Sequence, residues 1–187
     1  MSPARSFRPI VVAVTSGLLA VAAVSCGTPS TGPTSVQSSP AAPPPSAPPN
    51  PAAPPAPQPV AKGHCRYLPT AAVEAVNGER VAAVWISADQ PHPACFFLRG
   101  DGTVQLRTWI VVATPEVARA TVDAAAPVST SDLAELPDGW SGGSQPTTDG
   151  AVFAVARRGT AVVITTNQRQ TISARRIAGQ VISALSL

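Results

Sequence analysis

The chain has 187 residues, of which 22 are proline and only 12% are charged. Its formal net charge is +3, but Arg5 and Arg8 lie in the first ten residues; without them 11 basic residues face 10 acidic ones, a balance of about +1. With no Lys/Arg cluster interleaved with aromatics, that balance argues against nucleic acid as a partner.

The N-terminal segment, residues 1–25, has the layout of an export signal. Arg5 and Arg8 supply a positive start, and an apolar run extends from Ile10 to Val24. The run is about 15 residues, short of the roughly 20 that cross a bilayer as a permanent helix. Arg5 and Arg8 are not adjacent, which argues against a twin-arginine route. Ala23-Val24-Ser25-Cys26 closes the segment. This box resembles the bacterial lipoprotein consensus, with Ala23 standing where the consensus has an aliphatic residue. The resemblance implies cleavage before Cys26 and a diacylated cysteine at the mature N-terminus. Each buried CH₂ of the acyl chains contributes roughly 0.8 kcal/mol, so two chains make a stable anchor.

Residues 26–62 form the expected linker, and residues 27–61 hold 13 of the 22 prolines and no charged residue. Pro43-Pro44-Pro45, Pro48-Pro49 and Pro54-Pro55 sit among Ala, Ser and Thr. Such composition cannot bury enough apolar surface to fold, so a disordered, extended tether is expected. At about 3.1 Å per residue it reaches on the order of 100 Å at most.

Residues 63–187 have ordinary globular composition and a common domain length. Pro69 suits a first helical turn, Ala71 to Val76 continues it, and Asn77-Gly78 stops it. Val81 to Ser87 reads as a strand, Pro91 and Pro93 mark a loop, and Ala94 to Leu98 is a second strand. Arg99-Gly100-Asp101-Gly102 is a hairpin turn rather than an adhesion tripeptide. Thr103 to Ala113 is a long third strand. Val104, Leu106, Thr108, Ile110 and Val112 alternate with Gln105, Arg107, Trp109 and Val111. Thr114-Pro115-Glu116 starts a helix that runs to about Ala126. Residues 127–150, rich in Gly and Pro, read as loop. Ala151 to Arg157 and Thr160 to Thr166 form a second hairpin across Arg158-Gly159. A final helix begins near Thr171, with Ile172, Ile177, Ala178, Val181, Ile182 and Leu185 on one face. These elements predict an α+β domain, an antiparallel sheet flanked by helices.

Chemistry-bearing residues are few. Cys65 and Cys95 are an even pair in an exported chain, which reads as a disulfide. The sharper alternative is zinc, because His64 and His92 lie beside these cysteines and two Cys with two His match a tetrahedral set. Adjacent His64 and Cys65 rarely converge on one ion, so no metal is expected. Trp140, in a Gly-rich loop, reads either as a contact for a ligand or partner or as a lid folded onto the core. Arg157-Arg158 and Arg175-Arg176 read as solvated pairs. Asp123, Asp132, Glu135 and Asp138 read as surface acids. There is no Gly-x-Ser-x-Gly elbow, no phosphate loop and no dinucleotide fingerprint, so no catalytic residue or cofactor is expected.

His64-Cys65-Arg66-Tyr67-Leu68, Gln90-Pro91-His92-Pro93-Ala94-Cys95-Phe96-Phe97 and Thr165-Thr166-Asn167-Gln168 carry a resemblance. It is to an uncharacterised actinobacterial family of exported, proline-rich lipoproteins, a domain of unknown function. The element order is similar to the PsbP-like α/β/α sandwich of LpqN-type mycobacterial lipoproteins. The resemblance implies no activity. The expected protein is lipid-anchored on the outer side of the cell membrane, with a non-catalytic domain that binds another envelope protein or lipid. A lipid or small-molecule carrier is the alternative, and an envelope enzyme, centred on His92 or the 138–149 loop, is the third.

Overall fold

A computed structural model of the protein describes residues 51–187. The expected signal segment, Cys26 and the expected tether up to residue 50 lie outside the described residues.

Among the described residues eight strands and three α-helices follow in order, with a short 3₁₀ turn at Pro137–Gly139 between the fifth and sixth strands. They are β1 (Ala61–Lys62), α1 (Thr70–Asn77), β2 (Ala83–Ile86), β3 (Cys95–Leu98), β4 (Val104–Val112), α2 (Pro115–Ala125), β5 (Asp132–Leu136), β6 (Trp140–Thr147), β7 (Gly150–Arg157), β8 (Thr160–Thr166) and α3 (Thr171–Leu185). All the strands join one antiparallel sheet in the order β1-β2-β3-β4-β8-β7-β6-β5. It is two four-stranded meanders joined through their last strands, β4 and β8. The expected antiparallel sheet with helices packed on it is present.

The period-2 pattern decides which side chain meets which helix. Phe97, Leu106, Ile110, Phe153, Val155, Val162 and Ile164 pack with Val73 of α1 and Ala174, Ile177, Ala178 and Val181 of α3. Their neighbours Phe96, Trp109, Val111, Val152, Ala154, Ala161 and Val163 pack with Ala118 and Val122 of α2. Helices therefore cover both faces. The interior of β4 is buried on both sides, so its sequence reads as a continuous apolar run at 109–111.

Helix ends follow local chemistry. The Thr114 hydroxyl accepts from Val117 N–H at the start of α2, with Pro115 in the first turn. Gly78 ends α1 with φ 71, the left-handed conformation that a side chain would oppose.

Four expectations are corrected. First, the stretch 127–150 is not loop: it holds β5 and β6, so four strands follow α2. Gly142 and Gly143 are steric requirements of strand and helix packing. A Cβ on Gly142 would collide with Ala154 O and stand 2.9 Å from Val122 Cγ1; one on Gly143 would stand 2.9 Å from Ala126 O. Pro146 lies past Ser144, the last β6 residue paired with β5, where β6 has become an edge strand that tolerates a missing N–H.

Second, folding reaches upstream of residue 63. Pro57 is buried, Val60 N–H bonds Ile86 O at 2.9 Å, and Ala61 and Lys62 pair with β2. A tail poor in large apolar groups can still add a strand, because backbone groups make that contact. The expected disordered tether therefore does not extend to residue 62. Third, the alternation of β4 breaks. Leu98 opposes Val104 while Phe97 opposes Leu106, so Gln105 is an extra, bulged residue. Fourth, Ile172 is half exposed at the start of α3 instead of lying on its buried face.

Candidate functional site

The disulfide organises one end of the sheet. Cys95 opens β3 and Cys65 follows β1; they are bonded, with Cα atoms 5.7 Å apart across a sequence separation of 30. Both thiols are consumed by this bond, which leaves no thiolate for the Cys₂His₂ zinc alternative. Among the described residues no group of three or more His, Cys, Asp or Glu is placed to hold a metal.

Tyr67 sits two residues after Cys65 and is buried. Its hydroxyl lies 2.8 Å from Pro93 O, to which it donates, and 2.7 Å from Thr108 Oγ1. Burial, partly offset by the Thr108 hydrogen bond, pushes its pKa up to about 12. The connection from β2 to β3 is fixed by Ser87. Its hydroxyl donates to Asp89 Oδ2 at 2.6 Å and accepts from Ala94 N–H at 2.8 Å, while its own N–H bonds Ala94 O. Within that connection the Gln90–Pro91 peptide is cis.

These fixed loops leave a cleft of about 560 Å³ between them and the C-terminal turn of α3. Ile86, Pro93, Cys95, Ala184 and Leu185 supply apolar walls, and His64, Arg66, Gln90 and His92 supply polar ones. His64 is exposed and His92 half-buried. The ion pairs among the described residues join Arg99 to Glu79 and Asp101, so neither histidine is paired with a carboxylate there. The arrangement can hold a small amphipathic molecule, with apolar surface against Leu185 and Ile86 and a polar or anionic end toward Arg66 and the imidazoles.

Sequence reasoning singled out His64, Cys65, His92 and Cys95, and the structure brings all four to this cleft. It missed Arg66, Tyr67, Ser87 and Leu185. Adjacency to Cys65 was a usable signal for Arg66 and Tyr67; nothing local marks Leu185, more than a hundred residues away.

Trp140 is elsewhere and is not a contact residue. It opens β6, is 2% exposed, and packs in the core with Phe153 and α3. A side chain so covered presents no surface to a partner, and the lid alternative holds. Its Nε1 is buried without a hydrogen-bond partner among the described residues, and Arg157 lies over its ring at 5.3 Å.

The Thr165-Thr166-Asn167-Gln168 stretch is structural. Thr166 Oγ1 donates to Asn77 Oδ1, Asn77 Nδ2 donates to Gln105 O, and Asn167 Nδ2 donates to Glu79. Gln105 Nε2 donates to Arg80 O at 3.0 Å. The bulge in β4 supplies the amide that closes this network between α1, β4 and β8. Buried amides satisfied by one another are not free for a ligand.

Residues 49–187 match the family described as Domain of unknown function (DUF2020). The chain belongs to that family. None of the curated proteins matches it. The match begins upstream of residue 63, in step with the buried Pro57 and the β1–β2 pairing. The DUF2020 region therefore includes the end of the proline-rich stretch, the disulfide, the cleft and the whole sheet.

Proposed function

We propose that this DUF2020 protein is an exported lipoprotein, anchored to the outer side of the cell membrane through Cys26, whose folded domain is a non-catalytic binding module. The observation that carries the reading is the Cys65–Cys95 disulfide. Such bonds persist in oxidising, extracytoplasmic compartments and are rare in the cytosol. The basic-then-apolar segment ending at Cys26 supports export and lipidation. The proline-rich stretch after Cys26 acts as a stand-off, so the domain reaches an envelope protein or lipid without diffusing away. The helices on both faces of the sheet support a PsbP-like arrangement.

Binding is favoured over catalysis by the state of the cleft's groups. Its buried hydroxyl, Tyr67, is held in the neutral form by burial and is engaged by Pro93 and Thr108. The histidines lack a carboxylate to orient them, which general acid–base work would call for. The carrier reading stays second, favoured by the apolar walls of the cleft. In that reading the ligand is small and amphipathic, because the faces of the sheet are filled by side chains.

Metabolic labelling with an alkyne fatty acid tests the anchor. The wild-type chain takes the label and sediments with membranes; Cys26→Ala takes none and is released. A wild-type chain found unlabelled and soluble overturns the proposal. Titration of the full chain with the amphipathic anion anilinonaphthalene sulfonate tests the cleft. Saturable binding that Leu185→Arg abolishes is expected, and binding indifferent to that change removes the cleft as the ligand site.

A further inference from the structure

The structure gathers three arginines that sequence separates. Arg119 comes from α2, Arg157 from the end of β7 and Arg158 from the β7–β8 turn, and all three line one cavity of about 280 Å³. Ser141, exposed on β6, and Gly139 line it too. None of the three guanidiniums is ion-paired among the described residues, where the pairs belong to Arg99. Residues 1–50 contain no Asp or Glu, so no side-chain acid outside the described residues can pair with them either. Asp123 is the one acid that lines the cavity, and three arginines against one aspartate leave +2.

Two features single out the arginines of this cavity. Arg157 lies 5.3 Å over the buried Trp140 ring, and its Nη1 is 3.4 Å from the backbone carbonyl of Asp138. Stacking fixes the plane of the fork and leaves its other donors unused. Arg158 occupies the first central position of a two-residue hairpin, between the paired Arg157 and Thr160, with φ 54. That left-handed position favours glycine. Glycine stands instead at 159, where a Cβ would collide with Ala113 O. The arginine at 158 thus sits against local preference, beside a cavity that two other arginines share, and strain of this kind marks functional positions.

We infer that this cavity is a binding site for a phosphate group, held by Arg119, Arg157 and Arg158 with the Ser141 hydroxyl as a further donor. An excess of +2 matches a doubly charged phosphomonoester better than a single carboxylate, and arginine forks pair with phosphate oxygens two at a time. The site is separate from the cleft, whose residues come from β2, β3, α3 and the loops beside the disulfide. The phosphate belongs to a soluble phosphorylated molecule or to a lipid headgroup, and binding of free phosphate against binding of vesicles distinguishes the two.

The test titrates the purified full chain with inorganic phosphate at constant ionic strength, followed by backbone amide NMR, with chloride as control. Saturable shifts at Gly139, Ser141 and Arg158 are expected. Arg119→Gln and Arg158→Gly each weaken binding at least tenfold. Arg158→Gly relieves the left-handed position and melts no lower than wild type, so its loss of binding is not loss of fold. Asp123→Asn tightens binding several-fold, a change of opposite sign that a general disturbance would not give. In parallel, the Cys26→Ala chain, which carries no acyl anchor, is sedimented with phosphatidic acid vesicles and with phosphatidylcholine vesicles. Co-sedimentation with the anionic vesicles that both arginine variants abolish, without binding of free phosphate, assigns the site to a headgroup. Free phosphate binding without co-sedimentation assigns it to a soluble molecule, and both together mean that the headgroup's phosphate suffices. Shifts no larger than chloride's with no variant-sensitive vesicle binding, or equal affinity in the two arginine variants, overturn the site.

Discussion

The two ends of the sheet are fastened by different physics. At the β1–β3 end, a disulfide, a buried tyrosine hydroxyl and a serine-fixed loop tie short strands together, and the cleft opens between these fixed loops. At the β5–β6 end no covalent link or buried polar network was needed. Gly142 and Gly143 let β6 come close to α2 and β7, and Trp140 fills the space at its start. Short strands bury little surface of their own, so links that act on the unfolded chain or through strong directional bonds matter most at the first end. Longer strands in close contact hold themselves by packing at the second.

The largest effect should come from breaking the covalent clamp. Replacing Cys65 and Cys95 together by Ser removes a loop closure of about 30 residues, worth roughly 3–4 kcal/mol on the chain-entropy estimate. Urea unfolding of the oxidised wild type against the double variant measures it. A loss below about 1 kcal/mol would mean that the β1–β3 end is held by its side chains after all.

Next comes Gly142→Ala, which tests the packed end. Its Cβ would run into Ala154 O and press on Val122. The backbone cannot yield as a flexible side chain would, so about 3 kcal/mol of destabilisation is expected, the upper end of overpacking. Gly139→Ala is a useful contrast. It has open space around its Cβ, and its cost arises only from φ 83. If both alanines cost the same, close approach is not what fastens this end.

The pH dependence separates the ends again. Tyr67 titrates near 12 in the folded chain and near 10 when unfolded. Between these values the folded state keeps a proton that the unfolded state has lost, so stability falls as pH rises. The contribution is fully present below pH 10 and lost by about pH 12, on the order of 2–3 kcal/mol in all. Tyr67→Phe should flatten the decline in that window. A wild-type curve no steeper than that of the phenylalanine variant would show that the hydroxyl is not the group responsible.

The same contrast explains what could be read in advance. The cysteine pair, the Asn77-Gly78 stop, the Thr114-Pro115 start and the β7–β8 hairpin across Arg158-Gly159 are local signals, and the structure carries each of them. β5 and β6 were not legible, because Gly142, Gly143 and Pro146 are strand-breakers by propensity and become requirements only once Ala154, Val122 and the end of β5 are in place. The burial of Trp140 was hidden for the same reason. Of the cleft, the two cysteines and the two histidines near them were visible and the α3 wall was not. The arginine cavity was invisible, since it needs α2, β6 and β7 to come together to bring Arg119 to Arg157 and Arg158.

The smallest effect compares one cation over one tryptophan at each end. Arg157 lies 5.3 Å from the centroid of Trp140, which is buried, and Lys62 lies 6.0 Å from that of the half-buried Trp85. A planar guanidinium stacks on a ring where an ammonium prefers water, and desolvation strengthens the attraction. A double-mutant cycle of Arg157→Gln with Trp140→Leu should therefore give a coupling of about 0.5–1 kcal/mol. The matching cycle of Lys62→Gln with Trp85→Leu should give less, because exposed Lys62 keeps its hydration. Each tryptophan replacement is destabilising alone, and the cycle removes that common cost. Equal couplings would mean that the buried ring gives Arg157 no more than solvent gives Lys62, and the stack would then not fix the guanidinium beside the arginine cavity.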